Sequence, residues 1–426
     1  MKIAIAGYGA EGESSYRYFA SNPEHQITIV DQHQPERQLP DDVTLITGED
    51  AFLNLSGFDL VIRTAGLAPF AIKTDGKIWS ATNEFFEKCP VPIIGVTGSK
   101  GKGTTASLIA GILEAAGKTV WLVGNIGVPA LDVLSRIKAG DLVVYELSSF
   151  QLWDIERSPQ TAVVLFIEQE HLNVHLDMDD YLRAKANITY YQTDDDMVVY
   201  NQKNAFSRAI AEHSDAQKIA YPSDEGAHVF DGDFYYGEQL ICSVDVLTLV
   251  GLHNQENTCA AIDAVWPMTQ DIEAVRTGIA GFTGLPHRLQ FIREVNGVRY
   301  FDDSIATTPG SAIAALRSFA ESKVIILGGS AKGSDFSELA TELNRHDVQV
   351  ILIGEEASVI ARACDEAGFE NYEILPLPDA TKIVRRAAEL AKPGSVVLMS
   401  PASASFGLFK NYADRGEQFT RAVGKL

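Results

Sequence analysis

The chain is short of positive charge: 35 Lys and Arg stand against 57 Asp and Glu among 426 residues, a formal net charge of −22. A surface so balanced lacks the positive field that nucleic acid or an anionic membrane requires, so neither is an expected partner and phosphates must be met by local sites. Cysteine is scarce as well. Cys89, Cys242, Cys259 and Cys364 lie far apart and form no CxxC pair, which argues against a disulfide framework or a zinc site and for reduced thiols. No run of the ~18 to 20 apolar residues needed to cross a bilayer occurs, and MKIAIAGYGAEG reaches its glycines too early for a secretory leader. A cytoplasmic protein, and a monomer, is expected. What is present in quantity is apolar residue, 46% of the chain, enough for several cores. At roughly 150 residues per domain the length suggests two to four, and three is the starting expectation.

Apolar runs alternate with helical stretches in three successive series, which predicts an α/β protein with mostly parallel sheets. The first series has strand candidates at Ile3–Ala6, Ile27–Val30 and Asp59–Ile62, and prolines at 90 and 92 mark a linker. A second begins with VPIIGVTG at 91–98, continues in a helix from about Thr104 to Ala116, and adds strands at Thr119–Val123, Leu142–Leu147, Ala162–Ile167 and Met197–Tyr200. Residues 215–250 carry no regular pattern. A third follows LPHR at 285–288, with strands at Val298–Phe301, Val324–Leu327, Val348–Ile353 and Val396–Met399. The expected domains are 1–89, Rossmann-like; 90–284, a central P-loop ATPase-like parallel sheet; and 285–426, an open α/β sheet.

Gly7, Gly9 and Gly12 form G-x-G-x-x-G directly after a strand, and Asp31 follows the next strand. Glycines let a phosphate approach the backbone at the positive end of the following helix. This turn suits a nicotinamide cofactor, another pyrophosphate-containing nucleotide such as a UDP-sugar, or simply close packing of strand and helix.

The segment Thr97-Gly98-Ser99-Lys100-Gly101-Lys102-Gly103-Thr104-Thr105 joins a buried strand to an amphipathic helix. Its backbone N–H groups can wrap phosphate oxygens, Lys102 adds a cation, and Thr104 or Thr105 offers a hydroxyl to Mg²⁺. It misses the strict Walker spacing, with Gly103 where a hydroxyl residue normally follows the lysine. The variant resembles the T-G-[TS]-x-G-K-[STG]-T loop of the Mur ligase family. Glu146-Leu147-Ser148-Ser149-Phe150-Gln151-Leu152 looks like the signature of the family's D-glutamate-adding members, with Glu146 at a strand end as a candidate Mg²⁺ ligand. Glu170-His171-Leu172-Asn173 resembles E-[DH]-H-x-D, which implies that His171 binds a second Mg²⁺. Lys185 matches a lysine that the family carbamylates. Phe166–Gln169 departs from the usual approach to the histidine.

Further matches extend the resemblance over all three series. Asn254 and Asn257 fit an H-N-x-x-N motif placed near adenine, although Asn254 could equally cap a helix. Arg288, in G-L-P-H-R, and Asp303, in Asp-Asp-Ser, are implied to reach ATP on domain closure; Ile305 stands where relatives often carry lysine. The motifs around Gly328–Gly333, Ser400–Ser405 and Phe409–Gly416 imply that Thr307, Lys332, Ser405 and the backbone near Tyr412 surround D-glutamate. The resemblance assigns substrate roles to the three domains, as sites for the UDP precursor, ATP and the amino acid in that order. It implies ATP-dependent joining of D-glutamate to UDP-N-acetylmuramoyl-L-alanine through an acyl phosphate, in peptidoglycan precursor synthesis. Two Mg²⁺ ions would be held by Thr104, Glu146, His171 and Lys185. Gly7, Gly9, Gly12, Asp31, Asn125, Ser148 and Gln151 would hold the UDP substrate, while Lys102 and the rest of 98–105 would hold ATP. The alternatives are a Mur-type or folylpolyglutamate-type ligase with other substrates, a nicotinamide oxidoreductase, and a nucleotide-binding protein without catalysis.

Overall fold

The computed structural model describes residues 1–426 except 36, 42, 126, 172, 173, 250, 332, 333, 377, 378 and 406. The chain divides into two compact units, 1–282 and 283–426. The first contains two parallel sheets. One is built from β1 (Lys2–Ala6), β2 (Gln26–Asp31), β3 (Thr44–Thr47), β4 (Leu60–Arg63) and β5 (Lys77–Ser80), in the order β3-β2-β1-β4-β5. Its central strands are apolar on both faces because both are covered: Ile3, Ile5 and Ile62 pack with Phe19 and Trp79, while Ala4, Ala6 and Val61 pack with Phe52 and Leu55.

The second sheet comprises β6 (Ile93–Thr97), β7 (Val120–Gly124), β8 (Leu142–Glu146), β9 (Thr161–Val164), β10 (Met197–Asn201) and β11 (Gln217–Tyr221), in the order β11-β10-β9-β6-β8-β7. Leu108, Ile109, Ile112 and Leu113, the stripe read from the sequence, press on Ile94, Val96, Val144 and Val163. That helix runs Lys102–Ala115, two residues earlier than expected, since Gly101 at φ 85° already turns the chain into it. Residues 215–250, left unassigned by pattern, contain β11 and an antiparallel sheet of β12 (Ala227–Phe230), β13 (Asp233–Tyr236) and β14 (Gln239–Ser243). These strands are short, and the sheet is anchored on a helix far along the chain: Tyr236 stacks on Trp266 at 3.9 Å, and Ala227 N–H donates to Asp263 at 2.8 Å. A local pattern carries no sign of such partners.

The second unit holds one six-stranded sheet, β15 (Gln290–Val295), β16 (Val298–Asp302), β17 (Lys323–Gly329), β18 (Val348–Gly354), β19 (Tyr372–Ile374) and β20 (Val396–Met399), in the order β15-β16-β20-β17-β18-β19. Only β15 and β16 are antiparallel, joined at Asn296-Gly297 with positive φ at both residues, the turn that matches strand twist. Among the described residues no helix is long and apolar enough to cross a membrane.

Candidate active site

Register builds the site. In the second sheet β6 lies between β8 and β9, with Val96 opposite Glu146 and Thr97 opposite Val164, so the phosphate loop, Glu146 and the segment leading to His171 leave the same carboxyl edge side by side. Ligands in open α/β sheets bind at such an edge. Lys102 Nζ donates to the carbonyls of Gly98 and Ser99, both at 3.0 Å, and Lys185 Nζ donates to Gly98 O at 2.8 Å from the helix Met178–Tyr190. Two lysines from separate elements thus meet on one turn of backbone. Gly101 is required beside Asn257, whose Oδ1 would lie 2.4 Å from an added Cβ.

Lys185 is buried, and burial first, then the charge of Lys102, holds its amine well below lysine's ordinary range. Glu146 is buried too; its Oε1 accepts from Asn125 Nδ2 at 3.3 Å, whereas its Oε2, like Thr105 Oγ1, has no hydrogen-bond partner among the described residues. A buried oxygen left bare in this way is costly, and one beside a phosphate loop fits a cation ligand. Among the described residues no three His, Cys, Asp or Glu side chains form a ready-made metal centre. Magnesium commonly takes one or two protein carboxylates and completes its shell with phosphate and water, so these donors fit it.

His171 has φ 59°, and its ring lies 5.0 Å from Phe150. Burial, with Lys102 and Lys185 nearby, holds its imidazole below the ordinary value against the pull of Glu170. Tyr181, His175 and Asp180, which organise this edge, were not singled out from the sequence. Ser99 Oγ is used by Tyr181 OH at 2.7 Å and by the backbone of Glu168, which ties the loop to the histidine segment. His175 bridges Asp180 Oδ2 at 2.8 Å and Ser149 Oγ at 2.9 Å. The available signal was spacing: His171 and His175, and Tyr181 and Lys185, are each four apart. Asn173, in the same motif, lies outside the described residues.

The first glycine turn is built differently. A Cβ on Gly7 would meet Thr64 Oγ1 at 2.2 Å and one on Gly12 would meet Gly7 O at 2.1 Å, whereas Gly9 has nothing within 4 Å. Packing therefore dictates two of the three glycines, and only Gly9 leaves open space. Asp31 Oδ2 accepts from Tyr8 N–H at 2.8 Å, and Glu11, in the first helical turn, accepts from Ala65 N–H at 2.8 Å.

Ser148 caps the helix Ser149–Leu152, with Gln151 returning a bond to the Ser148 N–H at 3.0 Å, a capping box directly after Glu146. Asn254 lies inside the helix Leu252–Val265, whose cap is Gly251, so the capping alternative for Asn254 is overturned. Asn257 Nδ2 donates to Asn254 Oδ1 at 3.4 Å.

In the unit 283–426, Thr307 follows β16, and Ser405 and Tyr412 follow β20, all at the carboxyl edge of the sheet. Ser304 Oγ donates to Tyr412 O at 2.7 Å, and buried Arg415 donates to the carbonyls of Ser304 and Ser403 at 2.8 and 3.1 Å, joining these loops. Lys332 lies outside the described residues. Arg288 is exposed, while Asp303 is turned inward, accepting from Ser400 Oγ at 2.6 Å and Leu289 N–H at 3.1 Å, and burial raises its carboxyl to about 7.

Residues 96–265 match the family model of the Mur ligase middle domain, and 287–403 match that of the Mur ligase glutamate ligase domain. The chain is 35% identical to a UDP-N-acetylmuramoylalanine–D-glutamate ligase of Clostridium tetani, over all of this chain and 97% of that protein. It is 36% identical to the ligase of the same name from Acetivibrio thermocellus, over 90% of this chain and 86% of the relative. A MurF ligase from Thermotoga maritima, solved in complex with ADP, superposes with TM-score 0.59 over 99% of this chain and 95% of its own; at 19% identity it bears on the fold alone.

Proposed function

The chain belongs to the Mur ligase family, and from that premise we propose that it joins D-glutamate to UDP-N-acetylmuramoyl-L-alanine at the expense of ATP, in peptidoglycan precursor synthesis. The carrying observation is the meeting of Lys102 and Lys185 at Gly98 beside the unpartnered oxygen of Glu146.

An oxygen of the acceptor's alanyl carboxylate attacks the γ-phosphorus of ATP; ADP leaves and an acyl phosphate remains. The amine of D-glutamate then attacks the acyl carbon, the amide forms, and inorganic phosphate departs with the amine's proton passing to solvent. Lys102, on the loop itself, offsets negative charge on the transferred group. Two Mg²⁺ ions, held by Thr104 or Thr105, Glu146, His171 and Lys185, would neutralise triphosphate charge. Burial holds the Lys185 amine well below lysine's ordinary range, which favours the neutral form that can add CO₂: a nitrogen–carbon bond forms, a proton leaves, and a carbamate oxygen replaces a cation. Asn125, Ser148 and Gln151 fit the acceptor, with Gly9 open to its pyrophosphate. Asn254 and Asn257 fit adenine. Thr307, Lys332, Ser405 and the Tyr412 backbone offer the cation and donors that a dicarboxylate requires. We place the chain in the cytoplasm, as a monomer.

The test is phosphate release by the purified chain with ATP, UDP-N-acetylmuramoyl-L-alanine and D-glutamate, omitting each in turn. Release requiring all three supports the reading; release indifferent to D-glutamate and the UDP precursor would sink it.

A further inference from the structure

One buried side chain, so far without a part in the reaction, links the three segments that carry Glu146, His171 and Lys185. The side chain of His175 has no solvent-exposed surface. Its Nδ1 meets Asp180 Oδ2 at 2.8 Å and its Nε2 meets Ser149 Oγ at 2.9 Å, so both ring nitrogens are satisfied by protein. Burial works against ionisation of Asp180, yet bonds from His175 and Trp153 outweigh it and hold the carboxyl below its ordinary range. An ionised carboxylate can only accept, so Nδ1 is the donor of that pair. Around the ring, Phe150 stacks at 5.4 Å with planes 12° apart, Trp153 lies at 4.2 Å, and Tyr181 meets it edge-on at 5.2 Å. Two hydrogen bonds and three packed rings leave the imidazole one orientation.

Each of its links leads to a different candidate donor. Ser149 opens the short helix three residues after Glu146, whose buried Oε2 has no partner among the described residues. Asp180 lies in the first turn of the helix Met178–Tyr190, which also carries Tyr181, bonded to Ser99 of the phosphate loop, and Lys185, bonded to Gly98 O. The third link is backbone: the N–H groups of Val174 and His175 both donate to His171 O at 3.0 Å, and His171 stands at φ 59°. A side-chain-bearing residue is strained in that left-handed region, and the conformation persists only where its surroundings over-determine it. A locked ring at 175 keeps that residue's N–H under the His171 carbonyl.

We propose that His175 is the positioning residue of the magnesium site: anchored to Ser149 and Asp180, it holds the His171 backbone in its left-handed turn and sets the spacing of His171, Glu146 and Lys185 before metal or nucleotide arrives. The inference rests on the ligase reading, which makes those three the metal donors. Donors on three separate segments would otherwise have to be gathered as the ion binds, and the ordering entropy would weaken its binding. Residues that orient a metal's ligands without touching the metal remove that cost in advance. Loss of the ring therefore weakens the metal rather than the chemistry, and excess metal compensates.

The experiment measures Mn²⁺ binding to the full chain by electron paramagnetic resonance with β,γ-imido-ATP, where no turnover occurs, together with the Mg²⁺ dependence of phosphate release. The variants are His175→Phe, which keeps a packed ring and removes both polar bonds, Ser149→Ala, and the two combined. In His175→Phe the Mn²⁺ affinity is expected to fall about tenfold, with half-maximal phosphate release shifted to correspondingly higher Mg²⁺ and kcat restored to within about threefold at saturating Mg²⁺. Ser149→Ala should weaken Mn²⁺ about threefold, and the double variant should be no weaker than His175→Phe, because both substitutions cut the same link. Mn²⁺ affinity within about twofold of wild type in His175→Phe overturns the positioning role and leaves the ligase reading standing. So does a kcat that Mg²⁺ fails to restore, or a double variant whose losses multiply. Should His175→Phe not fold, Ser149→Ala and Asp180→Asn carry the test, since both act through one ring: non-additive weakening in their double variant supports the role, and multiplying or absent effects overturn it. A wild type that binds no Mn²⁺ beside the nucleotide analogue removes the metal donors of the ligase reading, and the positioning role with them.

Discussion

Two glycine turns, 7–12 and 97–105, each end a buried strand and open a helix, yet they are built for different work. The first carries Glu11 and Glu13 in its opening helical turn, and Glu11 already occupies Ala65 N–H. The second has no acid in that turn, receives Lys102 and Lys185, and faces a carboxylate oxygen without a partner. Glycine permits an approach by phosphate; charge and unpaired donors decide how much that approach is worth. The first turn therefore suits a ligand held by many weak contacts along its length, and the second suits a triphosphate in reaction.

Substitutions can break that contrast, in descending order of effect. Lys102→Ala is expected to reduce phosphate release at least about 10³-fold, roughly 4 kcal/mol, with unchanged circular dichroism; near-normal turnover would make the two turns equivalent. Gly12→Ala forces a Cβ toward Gly7 O at 2.1 Å and should destabilise the chain by about 3 kcal/mol in chemical denaturation. Lys185→Ala should lose about 10²-fold in activity, the scale of a disturbed metal site, and regain part of it with formate or acetate; full activity without added acid would dismiss the carbamate. Asp263 supplies a control in which a buried ionisable group is structural. Burial raises its carboxyl to about 8, against an ordinary 3.8, so its contribution is complete below 3.8 and is lost as pH rises through about 8. Thermal unfolding should accordingly fall between pH 5 and 8 in the wild type and less steeply in Asp263→Asn. Gly9→Ala, which meets open space, should cost no more than about 1 kcal/mol as a lost cap and weaken the UDP substrate rather than ATP.

Strand and helix positions were largely legible because strands covered on both faces stand out as continuous apolar runs, and a period of 3.6 residues survives in the stripe Leu108, Ile109, Ile112 and Leu113. The strand-to-helix turn at 97–105 was legible because its glycines stand between a buried apolar run and a helical stripe. Residues 215–250 were not: β12–β14 depend on Asp263 and Trp266, partners that a local window cannot see. Asn254 was misjudged as a possible cap because Gly251 takes that place, a choice made by backbone conformation. The network of Ser149, His175 and Asp180 was missed because its members gain meaning only when a short helix and a distant one meet.

By itself, then, the chain's order of residues determined the α/β class, the buried strands and the chemical types gathered in each motif, since these follow from local periodicity and side-chain chemistry. Tertiary structure alone decided that Lys102 and Lys185 share one carbonyl, that Glu146 keeps an oxygen bare, and that His175 joins Ser149 to Asp180. Those outcomes depend on desolvation and on register between strands remote in sequence, and neither exists until the sheets have closed.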